Sequence, residues 1–301
     1  MRRYLSGRQD FTPGVPVDKS RYIITAAVAF LVVASAVAAN FYLQSEELRQ
    51  ERDELAVRED VYRALMALQS DVQEEIVQVS DELAKGAAIL GAIGLNGTEA
   101  RAVMNEVLDN VTYGIDAVTI DPQGVIVASE PSAYHGAEGV NISGQEQVQR
   151  MITTHMPVMS QVFMMVEGFM ASDMQLPVFD AEGRFIGSLS VTLDIESLLR
   201  DKVEALDLAT GFQITCLQDD GLEVYDTDED QIGRNLFTDP AYANYTETLE
   251  FMHQLLESNN GYGTYEYYES LDSGELVTKE VYWAGFGMHG MSWTLLFIHV
   301  L

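Results

Sequence analysis

The side chains that could do chemistry in this chain are many acids, few bases and five scattered histidines. His135, His155, His253, His289 and His299 show no metal-ligand spacing, and the chain has no HExxH pair and no Cys/His cluster. A metal centre is not expected. A serine nucleophile needs a G-x-S-x-G turn and a phosphate cradle needs a G-x-x-x-x-G-K loop, and the sequence contains neither. Paired acids are frequent because the whole chain is acidic, so their proximity in sequence does not point to catalysis. Neither an enzyme nor a cofactor is expected, which leaves binding. Between Thr112 and Ile195 the full cations are Arg150 and Arg184. Arg184 follows a hairpin turn and is expected in solvent, so Arg150 is the natural counter-charge for an organic anion, helped by His155 or His135. Methionines 156, 159, 164, 165, 170 and 174 add a flexible, polarizable lining that suits apolar or aromatic groups, although strand alternation must turn half of them into a core. Further on, Tyr265 and Tyr267 fall on one face of a strand and Tyr268 on the other, and ordinary sheet packing is the expectation for them. Asp226, Asp228, Glu229 and Asp230 lack the D-x-D-x-D-G spacing of a calcium loop and read as a solvated acidic turn.

These groups need a scaffold, and its anchor is Tyr22 to Tyr42, YIITAAVAFLVVASAVAANFY. This uncharged run of about twenty residues is as long as a helix needs to cross a hydrocarbon core roughly 30 Å thick. Arg2, Arg3, Arg8, Lys19 and Arg21 precede it and Glu46 and Glu47 follow, so the positive-inside bias puts residues 1–21 in the cytoplasm and everything from Leu43 outside. A cleaved signal peptide is the competing reading, with Ala36-Val37-Ala38 as the cleavage site. The net charge of −30 repels nucleic acid and anionic lipid surfaces. Only four lysines stand against thirteen arginines, a balance suited to a salt-rich habitat and equally to an acidic exoprotein. Cys216 is the single cysteine, so the outer part must hold together by apolar packing without an internal disulfide. Four N-x-S/T sites, at Asn96, Asn110, Asn141 and Asn244, are weak glycosylation signals.

From Leu43 to about Leu90, apolar residues recur three or four apart and no proline intervenes. The pattern predicts one amphipathic helix reaching about 70 Å, stopped by Gly91, Gly94 and Gly97. Its near end, with Leu48 and Leu55 seven apart, suits a homodimeric coiled coil, and its denser far end suits packing against a domain. A second helix is expected over Glu99–Leu108. Gly114-IDAVTIDPQG-Val125 and Gly211-FQITCLQDDG-Leu222 then align without a gap, each a β-hairpin closed by a glycine turn. A Gly-x-Asn element follows each one, Gly139-Val-Asn141 and Gly233-Arg-Asn235. Helical stretches come next, over Gln145–Thr154 and Ala241–Ser258. The first copy continues with strands over Val158–Val166, Phe169–Val178 and Phe185–Leu193. In the second, strands are expected over Gly263–Tyr268, Leu276–Trp283 and Ser292–Val300, with a turn at Asp272–Gly274. Ile195–Leu206 reads as a connecting helix. One module is present twice.

The span, the exiting helix and the tandem modules resemble the double Cache family of extracellular sensors, which is related to PAS domains. The phrases that carry the likeness are IDPQGVIVAS, GVNIS and LPVFDAEGRFIGSLSVTLDI in the first module, with DDGLEVYDTDEDQIGRNLFTDPAY and SWTLLFIHV in the second. The resemblance covers Leu43 to Leu301 and implies an α+β protein: an N-terminal transmembrane helix (22–42), a stalk helix (43–97), a membrane-distal PAS-like antiparallel-sheet module (98–197) and a membrane-proximal one (198–301). It also implies that the distal module binds a small molecule and the helices carry the change inward. Members that bind amino acids place an Arg with aromatic partners after the Gly-x-Asn-x-Ser element, where this chain has Gly144 to Val148. Asp194 resembles the family's acid at the end of the last strand. The candidate ligand-binding set is therefore Arg150, His155, Tyr134, Met164 and Asp194. Family members usually return through the membrane to a kinase, cyclase or chemotaxis module, and with Leu301 as the last residue a separate signalling protein is the expected partner. An anchored solute-binding or cell-surface protein is the alternative function, and a filament subunit a third.

Overall fold

The computed structural model describes residues 19–165, 169–206, 211–268 and 276–301. Helix α1 runs over Lys19–Ile93 and ends where Gly94 takes a positive φ of 91°. The chain divides into two compact units, Met1–Arg58 and Glu59–Leu301. In the first, the described residues belong to α1 and keep apolar side chains such as Leu48 and Leu55 exposed. The span expected over 22–42 lies inside this helix, yet among the described residues no helix is long and apolar enough to cross a membrane.

In the second unit α1 becomes a core element. Val61, Leu65, Leu68, Val72, Ile76, Val79, Leu83 and Leu90 are buried, following the three-and-four spacing of the sequence. Burying each is worth about 1.5–3 kcal/mol, which makes this stripe the spine of one cluster that includes residues of both sheets. Near its end Gly91 lies so close to the carbonyl of Phe179 that any side chain would collide with that backbone.

Beyond α1 come α2 (Thr98–Asn110), β1 (Gly114–Ile120), β2 (Ile126–Glu130), a 3-10 helix at Ser132–Ala137 and α3 (Glu146–Thr154). Then follow β3 (Val158–Met159), β4 (Phe163–Met164), β5 (Met170–Phe179), β6 (Phe185–Asp194) and α4 (Ile195–Glu204). The remainder is β7 (Gln213–Gln218), β8 (Glu223–Asp226), a short 3-10 helix at Glu229–Gln231, α5 (Thr246–Leu256), β9 (Asn260–Tyr268), β10 (Leu276–Met288) and β11 (Met291–Val300).

Both sheets are antiparallel. The first has the order β2-β1-β6-β5-β3 with β4 also on β5, and the second β8-β7-β11-β10-β9. Each thus carries its opening hairpin at one edge and its last strand in the centre. The duplication extends to single hydrogen bonds. Val125 bridges Asn141 in one copy and Leu222 bridges Asn235 in the other, so both Gly-x-Asn elements dock on the second hairpin strand. The turn glycines Gly124 and Gly221 sit at φ 80° and 86°, a region that glycine enters without strain.

The strand expected over Val158–Val166 is broken into β3 and β4. At the break Ser160 N still donates to Asp173 O (2.8 Å), but side chains take over the next bonds: Asp173 N donates to Ser160 Oγ (2.9 Å) and Val162 N donates to Gln218 Oε1 of the second sheet (2.8 Å). Strand β10 runs five residues past its expected end at Trp283, because β11 pairs with it as far as Met288. The expected turn at Asp272–Gly274 lies outside the described residues.

Candidate functional site

The second sheet has two unlike faces. Ile214, Cys216, Leu295 and Phe297 join the α1 cluster, whereas Leu217, Val281, Leu296 and Ile298 face the other way and form a cluster with Met252 and Leu255 of α5. On that second face a cavity of about 130 Å³ lies between the sheet and a roof made by α5 and the segment before it. Its floor carries Thr215, Leu296 and Ile298, and Leu249 and Met252 close it from above. Tyr242, Tyr245, Tyr265 and Tyr267 supply aromatic wall, with Tyr245 edge-on to Tyr267 at 4.8 Å.

The same cavity gathers charge. Glu223 and Asp226 come from β8 and Asp228 from the turn after it, against Lys279 from β10. Asp226 is buried and accepts from Gln213 Nε2 (3.0 Å) and from Asp228 N (2.6 Å). Burial pushes its carboxyl up to about 6, with those hydrogen bonds pulling the other way. Glu223 is only 6% exposed, and among the described residues its Oε2 has no hydrogen-bond partner. Burial, and then the neighbouring Asp226, push its carboxyl up to about 8. Lys279 is also buried, with Nζ 5.4 Å from the centre of the Tyr267 ring. Burial raises the phenols of Tyr242 and Tyr265, and takes Tyr267 up to about 12.

One expectation is corrected here. Asp228, Glu229 and Asp230 are exposed, as a solvated turn requires, but Asp226 is not part of it, because β8 buries Asp226 against Gln213 on the sheet. Tyr265 and Tyr267 share a face as alternation predicts; Tyr265 packs there against Phe251 of α5, and both rings also line the cavity. A strand that spells Glu-Val-Tyr-Asp was the available signal. Acids inside a run of strand formers are either solvated at an edge or buried toward something polar.

The five residues proposed from the sequence are held by different partners. Arg150 on α3 is partly exposed, donates weakly to His289 O (3.5 Å) and lies 3.8 Å from Glu146. His155 caps α3 in the left-handed region (φ 52°) and stacks on Phe185 at 4.1 Å. Tyr134 is half-buried in the 3-10 helix, its carbonyl accepting from Ser129 Oγ. Met164 is 53% exposed in β4. Asp194 caps α4, accepting from Ser197 N (2.9 Å) and Ser197 Oγ (2.8 Å). Arg184 pairs with Asp180 and Glu182 at the hairpin turn, in solvent as expected.

The first sheet has a polar site of a different kind. Asp173 on β5 is buried, accepts a short hydrogen bond from Ser190 Oγ of β6 and lies near Asp116 of β1. Burial dominates and lifts its carboxyl to about 7, with the Ser190 hydrogen bond opposing and Asp116 adding to the rise. Among the described residues no group of three or more His, Cys, Asp or Glu could hold a metal ion.

Residues 75–194 match the family model described as HK/GC/Chemotaxis protein-like, sensor domain. No curated protein matches the chain. Among solved structures, an extracellular ligand binding receptor from Desulfohalobium retbaense is similar at 30% identity and TM-score 0.64, over 78% of this chain and 39% of that one. The chain therefore spans about two fifths of that receptor's length. A methyl-accepting chemotaxis protein X is similar at 14% identity and TM-score 0.63, over 83% of this chain and 100% of that one. The ligand binding domain of the Pseudomonas aeruginosa amino acid chemoreceptor PctB, solved in complex with L-Arg, is similar at 13% identity and TM-score 0.59, over 80% and 94%. At such identities the last two share the fold.

Proposed function

We propose that this chain, whose residues 75–194 match the HK/GC/Chemotaxis protein-like sensor domain, is a double Cache sensor domain and a signal-input protein whose second sheet receives a small molecule. The observation that carries this is the cavity under α5, into which an almost fully buried carboxylate with an unsatisfied oxygen is built. Leaving such a group unpaired costs on the order of 1–3 kcal/mol, and an occupant that bonds it offsets the cost. The solved relative with L-Arg in its ligand domain supports a small-molecule input. Binding shifts the population toward a closed arrangement, and α1, which packs on both sheets in one cluster, receives the change.

A ligand on the first sheet is the second reading, since the family match covers residues 75–194 and Asp173 forms a buried polar floor there. The two seats are separable with the purified full chain. A thermal-shift screen identifies stabilising compounds by mass action. Leu249→Trp fills the second-sheet cavity and removes the shift if the ligand sits there. A shift that survives Leu249→Trp and disappears in Asp173→Asn moves the ligand to the first sheet.

Residues 22–42 anchor the chain, with residues 1–21 in the cytoplasm and the bulk outside; the uncharged run and its basic flank support this. The chain pairs with a second copy through Leu48 and Leu55, both exposed on α1. Alkaline extraction of membranes tests the anchor, because release of the intact chain into the supernatant contradicts it.

A further inference from the structure

The second-sheet cavity has an unbalanced lining. Glu223 and Asp226 are buried in it and Asp228 is exposed at its edge; the cation in the lining is Lys279, which already lies over the Tyr267 ring, and Arg234 acts on Glu223 from outside the lining. Asp226 is satisfied by Gln213 and by the Asp228 backbone. Glu223 Oε2 is left over, in a place from which the Glu223 charge acts on the phenols of Tyr242, Tyr265 and Tyr267. A cation bound at Glu223 displaces the proton that burial holds there and pairs with the carboxylate, and the electron-rich ring faces beside it add a second attraction through their quadrupoles. An anion would meet the buried acids Glu223 and Asp226, and a neutral alcohol would gain no such pairing. Leu249, Met252 and Leu296 provide an apolar side for a short hydrocarbon. The volume of about 130 Å³ suits a compact guest.

We infer that this cavity takes a small organic ammonium cation, its nitrogen bound at Glu223 Oε2 within the ring of tyrosines. The inference rests on the reading that the cavity is the sensing site, and it adds the chemical class of the ligand. Lys279 is then a resident competitor that neutralises part of the acidic lining until the guest binds.

The test titrates the full chain with n-propylammonium chloride, and with 1-propanol and sodium propionate as neutral and anionic probes of matched shape, by calorimetry and thermal shift at constant ionic strength. The ammonium alone binds. Glu223→Gln weakens it at least tenfold, and Lys279→Met, which removes the competing cation, tightens it. Tyr267→Leu weakens it too and serves as the second variant if Glu223→Gln does not unfold cooperatively. Equal binding of propanol or propionate, or ammonium binding indifferent to Glu223→Gln, overturns the ammonium class. If a non-amine compound from a broad panel stabilises the chain and Leu249→Trp abolishes that effect, the cavity remains the sensing site and only the ligand class falls. If no compound gives a shift sensitive to Leu249→Trp, the reading of the cavity falls as well.

Discussion

Asp173 makes the stability of the first sheet depend on pH in a direction opposite to that of a salt-bridged acid. Its carboxyl is lifted from 3.8 to about 7 because burial penalises the charged form, and Asp116 is the charged neighbour that adds to the rise. Below pH 3.8 both folded and unfolded chains hold the proton and the group contributes nothing to pH dependence. Between that value and about 7 the unfolded chain releases the proton while the folded one keeps it, so stability falls as pH rises. Above about 7 the loss is complete. At about 1.4 kcal/mol per pH unit, the gap corresponds to roughly 4 kcal/mol as an upper value. Asp173→Asn keeps an acceptor for Ser190 Oγ and cannot ionise. The variant should therefore match the wild type near pH 4 and exceed it at pH 8. With about 2–4 °C per kcal/mol for a unit of this size, the Tm difference at pH 8 should be about 10 °C. Glu223 and Asp226 titrate in overlapping ranges and tilt both curves equally, so the quantity to read is the difference between the two proteins. Differential scanning calorimetry from pH 4 to 8.5 measures it. Parallel curves for the two proteins would refute the assignment of a buried, protonated Asp173.

Leu65→Ala, at a fully buried position on α1, should cost about 2–5 kcal/mol and lower the denaturant midpoint in a single transition, because Leu65 belongs to the cluster that includes residues of both sheets. Gly91→Ala should destabilise despite the better helix propensity of alanine, since the added carbon meets the Phe179 carbonyl; an unchanged or raised Tm argues against that packing. Arg150→Ala should change stability by less than about 1 kcal/mol, its contacts being long and partly exposed, and should leave ligand affinity unaltered in the same titrations. Leu48→Lys with Leu55→Lys should convert a dimer to a monomer in light scattering while leaving the Tm of the folded unit in place.

How far the sequence was legible follows from which signals are periodic. The stripe from Val61 to Leu90 and the paired hairpins at Gly114 and Gly211 repeat a local pattern, and local patterns set helices, strands and turns. The break between β3 and β4 was not legible, because it depends on Gln218, a side chain 56 residues away that accepts from Val162 N. The surroundings of the candidate site residues were not legible for a related reason. Arg150 looked like an anion counter-charge because cations are scarce around it, yet scarcity in sequence does not measure what a side chain faces. In the fold Arg150 reaches toward the hairpin tip at His289, while the excess charge that defines a cavity is negative and lies on β8. Glu223 becomes distinctive only when α5 and the preceding segment are laid over the sheet and its outer oxygen loses water without gaining a partner. That loss is a property of tertiary packing, and it explains why Asp226, which reads in the sequence as part of a solvated turn, and Glu223 beside it are strongly perturbed acids of the second module, with Lys279 buried among the same tyrosines as their partial counterweight.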